Sequence, residues 1–277
     1  MASHMIKVDG VSLACEDHGL GAPVVLLHGL TATRRYVVMG SKALERSEHR
    51  VIAYDARGHG SSSPAPDPSA YTYEELTRDL EGLLDRLEIS RAVLAGASMG
   101  AHTLLSFALR APERVAGLVV ITPAYDGDGP SPERMARWEA LAEGLRHGGV
   151  DGFLEAYGRP RVGEAWQETV LKVMRQRLST HRHPEAVADA LVAVPPSRPF
   201  DALEQLRAVS APTAIVASND EADPEHPFAV GETYASLIPG ARLVVDEPGR
   251  SPVAWQGSQL SKVIASVAQD AFAGAQR

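Results

Sequence analysis

Residues 92–100 read Ala-Val-Leu-Ala-Gly-Ala-Ser-Met-Gly and decide the fold of this chain. The apolar run 92–96 predicts a buried strand, and residues 99–110 predict a short helix directly after it. The turn between them has the pattern G-x-S-x-G, in which two glycines allow a sharp bend and hold the serine at its tip. Backbone N–H groups at the start of the helix can then stabilise a developing oxyanion. The stretch therefore predicts Ser98 as a nucleophile.

Strands and helices alternate on both sides of this stretch. Further buried strands are predicted at 23–29, 51–55, 118–121, 213–218 and 242–246, and further helices at 73–87, 228–238 and 258–273. This alternation is typical of an α/β fold with a mainly parallel sheet covered on both faces.

One segment breaks the alternation. Residues 123–199 carry helical patterns without a convincing buried strand, so they predict a helical cap inserted into the core. The predicted core is then 5–122 and 200–277. Residues 1–4 resemble an expression-vector remnant and are excluded from the predicted fold.

Composition and charge limit the kinds of molecule that this chain is expected to bind. The net charge of −8 argues against a nucleic-acid surface, which needs clustered Lys and Arg. No apolar run reaches the ~18 residues of a membrane span, and no export signal precedes the first strand. Cys15 is the single cysteine, so no internal disulfide can form. We expect a cytoplasmic protein that acts on a small molecule, with the oligomeric state left open, a homodimer included.

Two more motifs precede the serine turn. His28-Gly29-Leu30 ends one predicted strand, and residues 55–62 follow the next with the pattern D-x-R-G-H-G-x-S. In this order and spacing, the three motifs resemble the α/β-hydrolase fold family, in the branch of small esterases, lactonases, C–C hydrolases and cofactor-free haloperoxidases. The resemblance covers about residues 6–273 and implies an α/β-hydrolase core that needs neither cofactor nor metal.

The resemblance also implies roles for single residues. The backbone N–H groups of Leu30 and Met99 would form the oxyanion hole, and His28 and His59 would hold their loops by bonding to the backbone. His28 is in addition a candidate for substrate binding. Trp138 in the predicted cap is another candidate for the pocket wall, with packing inside the cap as the alternative.

The acidic member of the triad has three candidates. In this family it follows the penultimate strand in a D-x-x-x-P pattern, and Asp223 matches that spacing to Pro227. Asp220, closer to the strand end, is the alternative. Asp126 is the third, because some family members carry the acid after the strand that precedes the cap. An unused carboxylate would be a solvated loop residue or a favourable charge at a helix N-terminus.

The expected catalytic histidine is replaced. The family usually ends its last core strand with Gly-His, whereas this chain has Gly249-Arg250. A guanidinium stays protonated and has no acceptor lone pair, so Arg250 cannot take the proton of Ser98. We expect Arg250 either to pair with Asp223 or Asp220, or to bind an anionic group of the substrate.

Another histidine can supply the missing base. His226 is the only histidine after Asp220, and the third residue after the acid lines the pocket in related esterases. The resemblance then implies that His226 projects toward Ser98 and acts as the base, since a triad is defined by geometry rather than by sequence position. His102, one helical turn after Ser98, is the second candidate. The alternatives are a helix cap or a place in the pocket wall for His226, and packing behind the turn for His102.

The leading prediction is a serine hydrolase. Ser98 would attack an ester, lactone or similar acyl bond and form an acyl-enzyme that water releases. One alternative is a non-hydrolytic member of the same fold that binds a small molecule or catalyses an isomerisation, cyclisation or elimination. Another is a non-catalytic interaction protein.

Overall fold

The computed structural model describes residues 4–219, 225–245 and 257–273, and within these ranges eight strands form one sheet. The strands are His4–Val8 (β1), Val11–His18 (β2), Ala22–Leu27 (β3), His49–Tyr54 (β4), Ala92–Ala97 (β5), Val115–Ile121 (β6), Thr213–Ala217 (β7) and Arg242–Val245 (β8). Their order in the sheet is β1-β2-β4-β3-β5-β6-β7-β8. The pairs β1–β2 and β2–β4 are antiparallel and the other pairs are parallel. The predicted α/β fold with a mainly parallel sheet is confirmed.

Helices cover both faces of this sheet. They are Ala43–Arg46 (α1), Tyr73–Arg86 (α2), Met99–Arg110 (α3), Pro132–Tyr157 (α4), Glu164–Leu178 (α5), Pro184–Ala193 (α6), Phe228–Leu237 (α7) and Gly257–Ala273 (α8). Neighbouring side chains of β3 point to opposite faces, because a strand has a period of two. Val25 therefore packs in the cluster with α2, α3 and α7, whereas Val24 packs in the cluster with α8.

The sequence pattern missed the hairpin at the edge of the sheet. Strand β1 begins at His4, which pairs with Cys15 of β2, so the exclusion of residues 1–4 from the fold was wrong for His4. Most of β1 is exposed or half-buried. An edge strand of this kind lacks the continuous apolar run that marks the central parallel strands.

Three helices, α4 to α6, lie between β6 and β7, in the segment predicted as a cap. They enclose an apolar cluster of their own, which includes Leu141, Phe153, Met174 and Leu191, and Leu30 of the core packs against it. Helix α4 bends at Gly149, whose φ of 59° and ψ of −144° are not helical. A pair of adjacent glycines is thus the place where this long helix changes direction.

Backbone and side-chain bonds attach the cap helices to the core at Gly60. The Gly60 N–H donates to His181 Nδ1 at 2.8 Å, and the Arg182 N–H donates to the Gly60 carbonyl at 2.8 Å. His181 Nε2 lies 2.9 Å from the Thr31 carbonyl. These three bonds, called the Gly60 latch below, join the segment between α5 and α6 to two loops at the carboxyl edge of the sheet. None of the described helices is both long enough and apolar enough to cross a membrane.

Candidate active site

Ser98 lies at the tip of a tight turn between β5 and α3. Its φ of 50° and ψ of −111° are a strained conformation for a residue with a side chain. A Cβ placed on Gly96 would lie 2.4 Å from the carbonyl of Gly100, and one on Gly100 would lie 2.2 Å from the carbonyl oxygen of Leu27. Both glycines are thus required by the close approach of backbone on either side of Ser98.

The loop that follows β3 passes directly beside this turn. A Cβ on Gly29 would meet the carbonyl oxygen of Ala97 at 3.3 Å and Cβ of Ser98 at 3.4 Å. Leu30 and Met99 line the same cavity as Ser98. Met99 is the first residue of α3, and N–H groups in the first turn of a helix have no acceptor within that helix. The arrangement can therefore present backbone donors close to the serine.

The cavity above Ser98 has a volume of about 470 Å³. Its floor is the carboxyl edge of the sheet, where Thr122 follows β6 and Ser218 follows β7, and its roof is formed by α4 and α5. The roof is mainly apolar, with the lining residues Trp138, Leu141, Phe153, Val170 and Met174. Trp138, predicted for the pocket wall, lines the cavity and also packs against the apolar cluster of the cap.

Equal numbers of positively and negatively charged side chains line the same cavity. The cations are Arg134, Arg137 and Arg177, and the anions are Asp126, Asp128 and Glu225. Glu225 faces both Arg134 and Arg137 of α4, at 3.7 Å and 3.9 Å. The described wall therefore carries no excess of either charge.

Two of the histidines in the described residues line the cavity, His102 and His226. His226 lies near enough to His102 that its charge would lower the pKa of the His102 ring, although burial is the larger cause and brings that pKa to about 3. His226 lines the same cavity as Ser98. Its role as the base stays a prediction.

His102 is held in a way that leaves no lone pair for Ser98. Its Nε2 accepts the backbone N–H groups of Ala124 and Tyr125, each at 3.1 Å. Its Nδ1 lies 3.0 Å from the hydroxyl oxygen of Tyr73. The second candidate for the base is therefore a buried histidine that binds backbone, and Tyr73 is a cavity residue that the sequence pattern did not single out.

His28 and His59 hold loops together. The Ala56 N–H donates to Nε2 of His28 at 2.9 Å, so Nδ1 carries the proton and donates to the Gly29 carbonyl at 2.8 Å. His59 Nδ1 bonds to the Arg57 carbonyl at 2.9 Å. Burial lowers the pKa of His28 to about 4. His28 is not among the described residues that line the cavity, because both its ring nitrogens face backbone; its assignment to substrate binding is corrected to a structural role.

Buried ion pairs fix the loop after β4. Asp55 is fully buried and accepts the N–H groups of Arg34 and Ser61 at 2.8 Å and 2.9 Å, and it also pairs with the Arg34 guanidinium. Arg57 binds both oxygens of Asp79 at 2.7 Å and 2.8 Å. The charged residues of the D-x-R-G-H-G-x-S motif thus serve the fold beside the cavity.

The candidates for the acid fall mostly outside the described residues. Asp220, Asp223 and Arg250 all lie there. Asp126 is described: it is exposed, lines the cavity, and accepts the N–H of Asp128 at 3.1 Å.

Comparisons with known proteins agree with this architecture. A family model described as alpha/beta hydrolase fold matches residues 22–256. A solved thermophilic esterase from Thermogutta terrifontis superposes with a TM-score of 0.79 at 28% identity, over 98% of this chain and 99% of that one. An enol-lactonase from Burkholderia xenovorans LB400 gives a TM-score of 0.72 at 27% identity, over 96% and 98%.

One relative found by sequence similarity matches a shorter part of this chain. An epoxide hydrolase of Caballeronia sordidicola is 32% identical over 168 residues, which are 61% of this chain and 49% of the relative. The match thus spans about half of that relative's length.

Proposed function

Because this chain belongs to the α/β-hydrolase fold family, we propose that it hydrolyses an ester, a lactone or a similar acyl bond of a small molecule through an acyl-enzyme on Ser98. One observation carries the proposal: Ser98 is held at φ 50° between β5 and α3, at the floor of a cavity of about 470 Å³. The similarity in fold to an esterase and to an enol-lactonase over nearly the whole chain supports this class of reaction.

The proposed reaction has two steps. Oγ of Ser98 attacks the carbonyl carbon, and the backbone N–H groups of Leu30 and Met99 stabilise the oxyanion. The bond to the leaving alcohol breaks, and the alcohol takes up the proton that the serine gave to the base. Water then attacks the acyl-enzyme, the acid is released, and the serine recovers its proton.

We assign the role of base to His226. Of the two histidines that line the cavity within the described residues, His102 has both ring nitrogens bonded and its pKa lowered to about 3. His226 is the remaining one. Its orienting acid would be Asp223 or Asp220, with Asp126 as the third choice, and Arg250 would bind a loop carboxylate or an anionic group of the substrate.

Labelling with a fluorophosphonate probe tests the activated serine without knowledge of the substrate. We expect intact-mass spectrometry to show one adduct on the wild-type protein and none on Ser98→Ala. His226→Ala should label at least about 10²-fold more slowly, since a general base contributes about 10²–10⁴-fold. The matched control is His147→Ala, which changes an exposed histidine on α4.

Each outcome has a defined meaning. A folded wild-type protein that stays unlabelled would contradict the serine-hydrolase proposal and favour the non-hydrolytic alternative. Wild-type labelling that is equally fast in His226→Ala would leave Ser98 as the nucleophile and remove His226 as its base.

A further inference from the structure

The protonation of His102 follows from its hydrogen bonds. Its Nε2 faces two backbone N–H donors, those of Ala124 and Tyr125, so this nitrogen must be an acceptor without a proton. Burial keeps the ring neutral, and a neutral imidazole carries one proton. That proton is therefore on Nδ1, which donates to the hydroxyl oxygen of Tyr73 at 3.0 Å.

This bond determines the direction of the Tyr73 hydroxyl. Because its oxygen accepts from His102, its own proton must point elsewhere. Within the described residues no other hydrogen-bond partner contacts this hydroxyl. Tyr73 lines the cavity together with Ser98, and its ring packs in the same cluster as Met99. Burial also raises the pKa of the Tyr73 phenol, so the group stays a protonated donor.

The hydroxyls of two other tyrosines, the buried Tyr234 and the half-buried Tyr125, already have acceptors. The hydroxyl of Tyr234 donates to the carbonyl of Tyr125 at 2.7 Å, and the hydroxyl of Tyr125 donates to the carbonyl of Gly127 at 3.0 Å. The hydroxyl protons of these two tyrosines are therefore already bonded to backbone carbonyl groups. A buried donor without an acceptor costs free energy unless water or a ligand satisfies it, so Tyr73 has the properties of a ligand-binding group.

We propose that Tyr73 is a substrate-binding residue that donates a hydrogen bond to an oxygen of the acyl substrate, and that His102 is the positioning residue that turns the Tyr73 proton into the cavity. The inference rests on the proposed hydrolase function and adds a side-chain donor to the two backbone donors proposed there. The Tyr73 hydroxyl would suit substrates with an oxygen acceptor, such as the carbonyl or alkoxy oxygen of an ester or lactone.

The test compares Tyr73→Phe with a matched control, Tyr71→Phe. Tyr71, two residues earlier, is also buried, and its oxygen accepts the N–H of Ala65 at 3.0 Å. With p-nitrophenyl butyrate as the probe substrate, we expect Tyr73→Phe to lower kcat/KM about 10²-fold, the scale of one lost oxyanion donor. Tyr71→Phe should stay within about twofold of the wild type, as expected for a change outside the site. Cooperative melting curves are the check that both variants are folded.

A double-mutant cycle tests the role of His102. If His102 acts through Tyr73, His102→Leu should lower kcat/KM in the wild-type background and have little further effect in the Tyr73→Phe background. Additive losses would overturn the positioning role. Because His102 is buried, the comparison uses only variants whose melting curves are cooperative, and Tyr73→Phe alone decides the role of Tyr73.

Fluorophosphonate labelling separates this inference from the proposed function. A wild-type protein that is labelled at Ser98 and hydrolyses the ester, with an unchanged kcat/KM in Tyr73→Phe, overturns the donor role while the hydrolase function stands. A wild-type protein that is neither labelled nor active overturns the proposed function, and the Tyr73 inference falls with it.

Discussion

Two glycines position the nucleophile through backbone contacts that no larger residue can make. The Cβ of Gly100→Ala would lie 2.2 Å from the carbonyl oxygen of Leu27, so β3 and α3 must separate. We expect this variant to lose roughly 3 kcal/mol of unfolding free energy, as in overpacked cores. Gly148→Ala is the control, because its Cβ meets nothing within 4 Å in α4 and alanine favours a helix. Urea unfolding measures both; equal stabilities would contradict the packing argument.

At this same scale, some of the site can be predicted from the sequence. The turn at Ser98 can be predicted, because the strand, the two glycines and the helix are adjacent in the chain. The hydrogen bond between Tyr73 and His102 cannot be predicted, because these residues are separated by 29 positions and meet only when α2 packs on α3. His28 was misassigned to the substrate for a related reason: its partner, the Ala56 N–H, belongs to another loop.

The cap helices are attached to the core by the Gly60 latch. His181→Ala removes the acceptor of the Gly60 N–H and the donor to the Thr31 carbonyl. We expect faster hydrogen exchange at the Gly60 amide and a loss of about 1–3 kcal/mol, the cost of a buried group left unsatisfied. His183→Ala is the control, since that half-exposed side chain pairs with exposed Glu185 of the same helix start. Unchanged Gly60 protection in His181→Ala would show that the latch does not hold the cap.

Predictions of elements were clearest where burial is complete. The central strands β3, β5 and β6 are nearly continuous apolar runs, so their pattern in the sequence is unambiguous. Strand β1 was missed because this edge strand exposes much of its length and mixes polar with apolar residues. The three helices between β6 and β7 were predicted as a group, but their contacts with Gly60 and Thr31 arise only in the folded chain.

For the whole molecule, the buried histidines should make stability depend on pH. Burial lowers the pKa of His28 to about 4 and of His102 to about 3, and it lowers those of His59 and His181 as well. In the unfolded chain these rings take up protons near pH 6.5, whereas in the folded protein they stay neutral. Their stabilising contribution is therefore complete above that pH and is lost as the pH falls toward the folded pKa values.

For His28 and His102 this linkage predicts a loss of about 2 kcal/mol each between pH 7 and pH 5. Urea unfolding followed by tryptophan fluorescence at several pH values measures the slope. His28→Gln should reduce that slope by the contribution of up to one proton taken up on unfolding, because the variant has no ring to protonate. His147→Gln should leave the slope unchanged, since that side chain is 81% exposed in the folded state. A wild-type stability that is flat from pH 7 to pH 5 would mean that the buried rings accept protons without unfolding, and it would contradict the lowered pKa values of His28 and His102.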